Sequence, residues 1–339
     1  MTQTHSRDNT VFLRFLAIIL VINSHMDALY PMPIFATGGA MGNSLFFMLS
    51  AFGLLLSERH SPQTFVQYYT KRILRLYPVV WTSILFLTIP VSYISYWLSG
   101  SEASTTILGQ YLANPLQTIG MIFYPPYWFL DALMFFYLFG FFFIKNYSNR
   151  TMLKAYLFLG IVYVIAYLQF QDFSLLVIEQ TIGFKLIFYA MVFLSGIYFA
   201  SINEKIVYSG VRDFVILFII VALIYTHKFM WYKGVLTEFQ LVQQLLIFPM
   251  LYYFMKIGRS PLVLDGIMQH KYLATPIAAV AAMTLELYIV HGMIMHLFIE
   301  NIPGFPENVL TYFVAVFLVS YLFYRGNMLF IERLKKGLL

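Results

Sequence analysis

The 339-residue chain is 60% apolar, 19% aromatic and only 11% charged, with a formal net charge of +6 and no cysteine. Soluble domains carry about 25% charged residues, so this composition excludes an ordinary soluble protein and points to an integral membrane one. The missing cysteine excludes disulfides, thiolate metal sites and a cysteinyl acyl-enzyme, and the positive excess reads as topology-setting loops rather than a nucleic-acid surface.

Ten segments come near the roughly 20 residues needed to cross the hydrocarbon core. In chain order they are 11–30, 43–57, 76–98, 127–145, 152–170, 181–201, 212–227, 238–255, 276–299 and 308–326. The second and seventh are short, which extension or tilt accommodates. With the N-terminus inside, seventeen Lys and Arg residues fall in inner segments, from Arg7 to Lys336, while the outer loops hold only Lys228 and Lys233. That asymmetry predicts an all-α bundle of about ten spans with both termini cytoplasmic, built as a single domain over residues 1–339.

The first span carries the charge problem. Arg14, Asn23, Ser24, His25 and Asp27 sit among Leu, Ile, Val and Phe. An arginine at membrane depth costs about 2.5 kcal/mol or more and generally faces protein or water for a functional reason. Eleven helical steps from Arg14 to His25 make about three turns and climb about 16 Å, placing the two side chains on one stripe near opposite sides of the bilayer. Arg14 interrupts the apolar run and no small-residue cleavage site follows cleanly, so this segment reads as a retained span rather than a signal peptide.

Between the second and third spans, residues 64–78 read as a short amphipathic helix on the inner surface that enters the membrane near Pro78. Arg72 and Arg75, three apart, share one face of it. They serve either as headgroup anchors or as a clamp for phosphates, which guanidinium groups bind bidentately. The longest outer connection, 99–126, is rich in Ser, Thr, Gly and Pro and is placed to fold over the outer mouth. Lys185, near the outer end of its span, reads as a snorkelling structural residue. His291 and His296 are five apart and share no helical face, so a metal pair is not expected. Glu286, in the same span as His291, is an intramembrane carboxylate and hence a functional candidate, with a buried ion pair as its structural alternative.

Four motifs in order carry a family resemblance. Arg14 and His25 stand ten residues apart, and Phe46-Phe47-Met48-Leu49-Ser50-Ala51-Phe52 follows in the second span. Arg72-x-x-Arg75 then precedes Tyr77-Pro78, and Tyr288-x-x-His291 lies in the ninth span. The chain resembles the acyltransferase-3 family of integral membrane O-acyltransferases, in its stand-alone form without a fused esterase-like domain. It departs from the family pattern at Ala51, where relatives have glycine. It departs again in the fourth span, where Trp128, Leu130, Phe136 and Tyr137 align but the usual glutamate is Leu133. Asp131 lies two residues away, on a different helical face.

The resemblance implies transfer of an acyl group, most often acetyl from cytosolic acetyl-CoA, to a hydroxyl of a cell-surface or lipid-linked glycan at the bacterial inner membrane. It implies His25 as the base, the side chain suited to that work near neutral pH, with Arg14, Asp27 and His291 as further catalytic candidates. Arg72, Arg75 and Arg14 would hold the donor, and Trp128, Asp131, Glu286 and Tyr288 would face the acceptor. Asp27, Asp131 and Glu286 are all open as the carboxylate that orients His25. The expected partners are acyl-CoA, the glycan acceptor and membrane lipid, with no metal or nucleic acid; a homo-oligomer is compatible with the pattern. The competing reading is a secondary transporter or exporter of a polysaccharide or its precursor. Such proteins also use intramembrane Arg, His and Glu, but usually show repeated halves and Gly/Pro-broken helices that are not visible here.

Overall fold

The computed structural model describes residues 3–90, 120, 125, 127–170, 182–299 and 304–337. Among these residues the chain is all-helical, with no strand. In order the helices are α1 (Gln3–Ser24), α2 (Gly39–His60), α3 (Phe65–Ser83), α4 (Trp128–Lys145), α5 (Asn149–Phe170), α6 (Ile182–Ser201), α7 (Val211–Tyr232), α8 (Gln240–Ile257), α9 (Lys271–Ala282), α10 (Thr284–Ile299) and α11 (Glu307–Gly337). Six described helical stretches are long and apolar enough to cross a membrane, and the bent pair α9–α10 would make a seventh. Each of the ten expected spans overlaps a helix, although the described part of the first is a shorter apolar helix, Asn9–Ser24.

Four boundaries differ from the sequence expectation, each for a local reason. The first span does not run to residue 30: α1 ends at Ser24 and gives way to 3-10 turns at Asp27–Leu29 and Pro33–Phe35. Asn23 folds the chain back there, donating to the Tyr30 hydroxyl (2.6 Å) and accepting from the Thr37 N–H (2.7 Å). The amphipathic segment 64–78 is not separate from the third span but is the start of α3, which runs through Pro78. Its N-terminus is fixed by a capping box in which Thr64 Oγ1 accepts from the Gln67 N–H and the Gln67 side chain accepts from the Thr64 N–H, so two of the donors orphaned at a helix start are satisfied. The ninth span is broken rather than straight, with α9 and α10 meeting at 73° around Met283. The last span continues well past residue 326, to Gly337. The outer connection 99–126 lies almost wholly outside the described residues.

The core is organised on α2, which is apolar on nearly all sides and packs against α1 on one flank and α6 on the other. Close approach of backbones depends on small residues where no hydrophobic force acts between lipid-bathed helices. At Gly42 an added Cβ would sit 2.7 Å from the Val21 nitrogen, and at Gly196 it would sit 2.1 Å from the Met48 carbonyl oxygen and 2.8 Å from Ala51 Cβ. Ala51, which stands where the family has glycine, is therefore accommodated by a glycine on the facing helix. By contrast α5 and α7 present large apolar side chains such as Phe158, Leu168 and Phe218 outward, as lipid-facing helices do.

The α6–α7 connection is tied down from α8. Lys256 Nζ lies 2.7 Å from Asp213 Oδ1 and 3.1 Å from Ser209 Oγ, with both charged residues buried. Arg259 donates to the Asn203 and Ile206 carbonyls at 2.7 and 2.6 Å. Burial pulls the Arg259 guanidinium below its usual pKa, and these acceptors supply the polar partners that burial removes.

Gly196→Ala is expected to destabilise the protein by about 1–3 kcal/mol through overpacking, read as a lower Tm in detergent. Ala51→Gly in the same chain is not expected to restore it, because the nearest obstacle is the Met48 carbonyl, which has no rotamer to adopt.

Candidate active site

A cavity of about 600 Å³ opens between α1, α2, α3, α4, α9, α10 and α11. Its lining joins residues distant in sequence: Arg14 from α1, Ser50 from α2, Lys71, Arg72 and Arg75 from α3, Leu133 and Tyr137 from α4, Glu286 and Tyr288 from α10, and Asn327 from α11. The broken ninth span contributes through its bend, since Ala281, Ala282, Thr284 and Leu285 all line the wall. Among the described residues four cations thus share one space with a single carboxylate, Glu286. That is an electrostatic setting for a polyanion, since low-dielectric walls strengthen the attraction of fixed charges for a ligand.

The three α3 cations are held differently. Arg72 is engaged with the protein: one of its terminal nitrogens donates to the Tyr68 carbonyl at 2.6 Å and to Gln63 Oε1 at 3.2 Å, and its guanidinium lies 3.9 Å above the buried Tyr68 ring. Lys71 and Arg75 make no hydrogen bond or ion pair among the described residues. Glu286, deep in the cavity, faces Asn327 at 3.5 Å, and Asn327 Oδ1 accepts from Thr82 Oγ1 at 2.6 Å.

His25 is the first residue beyond α1 and is exposed, outside the cavity lining. The link between them is aromatic. The His25 ring meets that of His291 edge-on at 4.7 Å, His291 lies 5.7 Å from Tyr288, and Tyr288 both lines the cavity and packs 5.0 Å from Phe129. His25 Nδ1 is 3.0 Å from the Val21 carbonyl and 3.1 Å from Ser24 Oγ. A carbonyl only accepts, so a neutral ring bonded there carries its proton on Nδ1 and leaves Nε2 with the lone pair. His291 repeats the arrangement, with Nδ1 3.1 Å from the Leu287 carbonyl, and its own carbonyl accepts from the Tyr312 hydroxyl at 2.9 Å.

None of the three carboxylates considered as the orienter of His25 takes that position. The Asp27 carboxylate accepts from the Ala28 N–H at 3.0 Å, and Glu286 is engaged by Asn327. Asp131 faces a separate small pocket with Leu76, Tyr77 and Pro125. A backbone carbonyl one helical turn back does the orienting instead. Leu133 lines the cavity whereas Asp131 does not, so Asp131 does not replace the family's glutamate. Trp128 is also set apart from the cavity, packed 5.7 Å from Tyr189 with Lys185 Nζ 4.0 Å over its ring; Lys185 is buried rather than snorkelling. The side chain of His296 lies outside the described residues.

The loop after His25 is fastened from three helices: besides Asn23, Lys228 of α7 donates to the Pro33 and Ala36 carbonyls at 3.0 and 2.5 Å, and Asn308 of α11 donates to the Leu29 carbonyl at 2.8 Å.

A family model described as an acyltransferase domain matches residues 12–325, nearly the whole chain. The chain belongs to the acyltransferase-3 family. No curated protein and no solved structure matches it at a significant level. This acyltransferase therefore brings Arg14, Arg72, Arg75, Glu286 and Tyr288 to one cavity and places His25 and His291 together at its aromatic end. Ser50 and Tyr137, noted in the sequence only as motif residues, line the cavity too, and so do Lys71 and Asn327, which sequence reasoning did not name as site candidates. Asn327 had a readable signal, an amide just beyond the last span's assigned end; Lys71 had one too, lying four residues before Arg75 on the same helical face.

Because Arg72 is bonded within the protein and Arg75 is not, their losses are expected to differ. Arg72→Ala should lower stability by about 1.5–3 kcal/mol, the worth of a hydrogen bond to a charged group, while Arg75→Ala should leave the Tm in detergent within error.

Proposed function

We propose that this acyltransferase moves an acetyl group from acetyl-CoA to a hydroxyl of a cell-surface or lipid-linked glycan. The observation that carries this reading is the four-cation cavity joined to His25 through Tyr288 and His291. A polyphosphorylated donor matches Arg14, Arg72 and Arg75 in charge, and the pantetheine arm would leave the cations toward Tyr288. The bias of basic residues toward one set of loops supports ten spans in a bacterial inner membrane with both termini cytosolic, which opens the cationic mouth to the compartment where coenzyme A is made.

In the transfer, His25 Nε2 takes the proton of the acceptor hydroxyl as that oxygen bonds the acyl carbon. The carbon–sulfur bond breaks, the coenzyme A thiolate leaves, and the proton on His25 is passed to it. Neutral His25 is prepared for this by the Val21 carbonyl, which holds the Nδ1 proton and keeps the basic nitrogen outward. His291, buried against it, limits the orientations of the imidazole, and Asp27, exposed two residues further on, is left for acceptor contacts. The exposed position of His25 suits an acceptor too large to enter the cavity.

The test is label transfer. Membranes containing the protein are incubated with radiolabelled acetyl-CoA, and label is followed into glycan. His25→Ala is expected to lose about 10²–10⁴-fold in transfer, the usual share of a general base, while retaining donor binding because His25 stands outside the cavity. Undiminished transfer would remove His25 from the reaction; a glycan that crosses the membrane without label would favour the exporter.

A further inference from the structure

The helix α3 enters the cavity from its surface end. Its first turns are exposed, while Val79, Val80, Thr82 and Ser83 near its far end are buried. Along this gradient Lys71, Arg75 and Val79 all line the cavity. Spaced four apart, they form one stripe, each about 6 Å further along the axis than the last. The stripe runs from a cation at the mouth, through a second cation, to an apolar side chain at depth. Arg72 stands beside it but is already bonded to Tyr68 and Gln63, whereas Lys71 and Arg75 have no such partner among the described residues. Lys71 and Arg75, both exposed and about a turn apart on the cavity lining, present two separated positive charges that match a ligand with two separated anionic groups. A single acyl phosphate would satisfy one of them.

We propose that Lys71 is a donor-specificity residue, which binds the phosphate of the donor that lies farthest from the thioester. The inference rests on the donor reading of this cavity and sharpens it. Coenzyme A carries a diphosphate on the side of its pantetheine arm and a phosphomonoester on the ribose 3′-oxygen, remote from the sulfur. With the thioester directed toward Tyr288 and His291, the diphosphate meets Arg75 and Arg14, and the 3′-phosphomonoester meets Lys71 at the mouth. An ammonium suits that place: it is a compact point charge on a flexible stem, able to follow a terminal phosphate. It is the bidentate Arg75 that fits the less mobile diphosphate.

The experiment is equilibrium binding to the full-length protein in detergent, with radiolabelled acetyl-CoA and acetyl-3′-dephospho-CoA as the two probes. The wild type is expected to favour acetyl-CoA. Lys71→Ala should weaken acetyl-CoA by about tenfold, the value of one charge-assisted contact, and leave the dephospho donor unchanged, so that the preference disappears. Lys71→Arg should keep most of the preference, and Lys154→Ala, on α5 away from the cavity, should change neither. Equal weakening of both probes by Lys71→Ala, or no weakening of either, would overturn the assignment to the 3′-phosphate. Should the wild type bind neither probe, the donor reading of the cavity itself would fall, and Lys71 with it.

Discussion

A guanidinium within an apolar helix has to meet water, an anion or a polar wall, because the hydrocarbon core offers nothing to hydrogen-bond it. Arg14 sets that condition at the centre of this protein. The fold meets it by leaving a cavity beside α1 instead of a packed seam, and by building the wall from seven helices. The break at Met283 belongs to the same solution: turning the chain by 73° lets α9 and α10 both reach the cavity edge, where a straight span would pass along one side of it. The Thr82 hydroxyl, the Asn327 amide and the Glu286 carboxylate, bonded in that order, then supply polar contacts at depth.

The opposite end of the molecule follows a different rule. His25 stands where α1 stops, and its environment is made by backbone carbonyls and rings more than by charges. Hydrogen-bonding Nδ1 to a carbonyl four residues back costs nothing in sequence specificity, so it leaves no motif to read. The chain beyond His25 is nevertheless held closely, by Asn23, Lys228 and Asn308 acting on backbone groups of residues 29–37. An exposed imidazole on a well-fastened turn keeps its orientation while staying open to solvent. The cationic cavity and the exposed imidazole, with Tyr288, Phe129 and His291 between, are two distinct parts of one arrangement.

Several features were readable from residues alone because they depend on local periodicity or chemistry. Each span-length apolar run coincides with a described helix, since hydrophobicity over some 20 residues is a one-dimensional signal. Arg14 and His25 stood out because charge is rare in such runs, and the four ordered motifs were enough to name the family. Arg72 and Arg75 shared a face by spacing alone, and both reach the cavity.

What the sequence by itself determined, then, is the class of molecule, the family and the approximate positions of its helices. Only the tertiary structure decided how these meet. It set Arg72 against Tyr68 and Gln63 and left Lys71 and Arg75 unengaged, turned Asp131 away from the cavity while Leu133 faced it, and matched Ala51 with Gly196. It also gave His25 a carbonyl where three carboxylates had seemed equally able to serve. The physical reason is the same in each case. Helical spacing fixes which residues share a face, but which face meets which neighbour depends on backbone approach and on the rotation of each helix in the bundle, and those are settled by contacts between residues far apart in the chain.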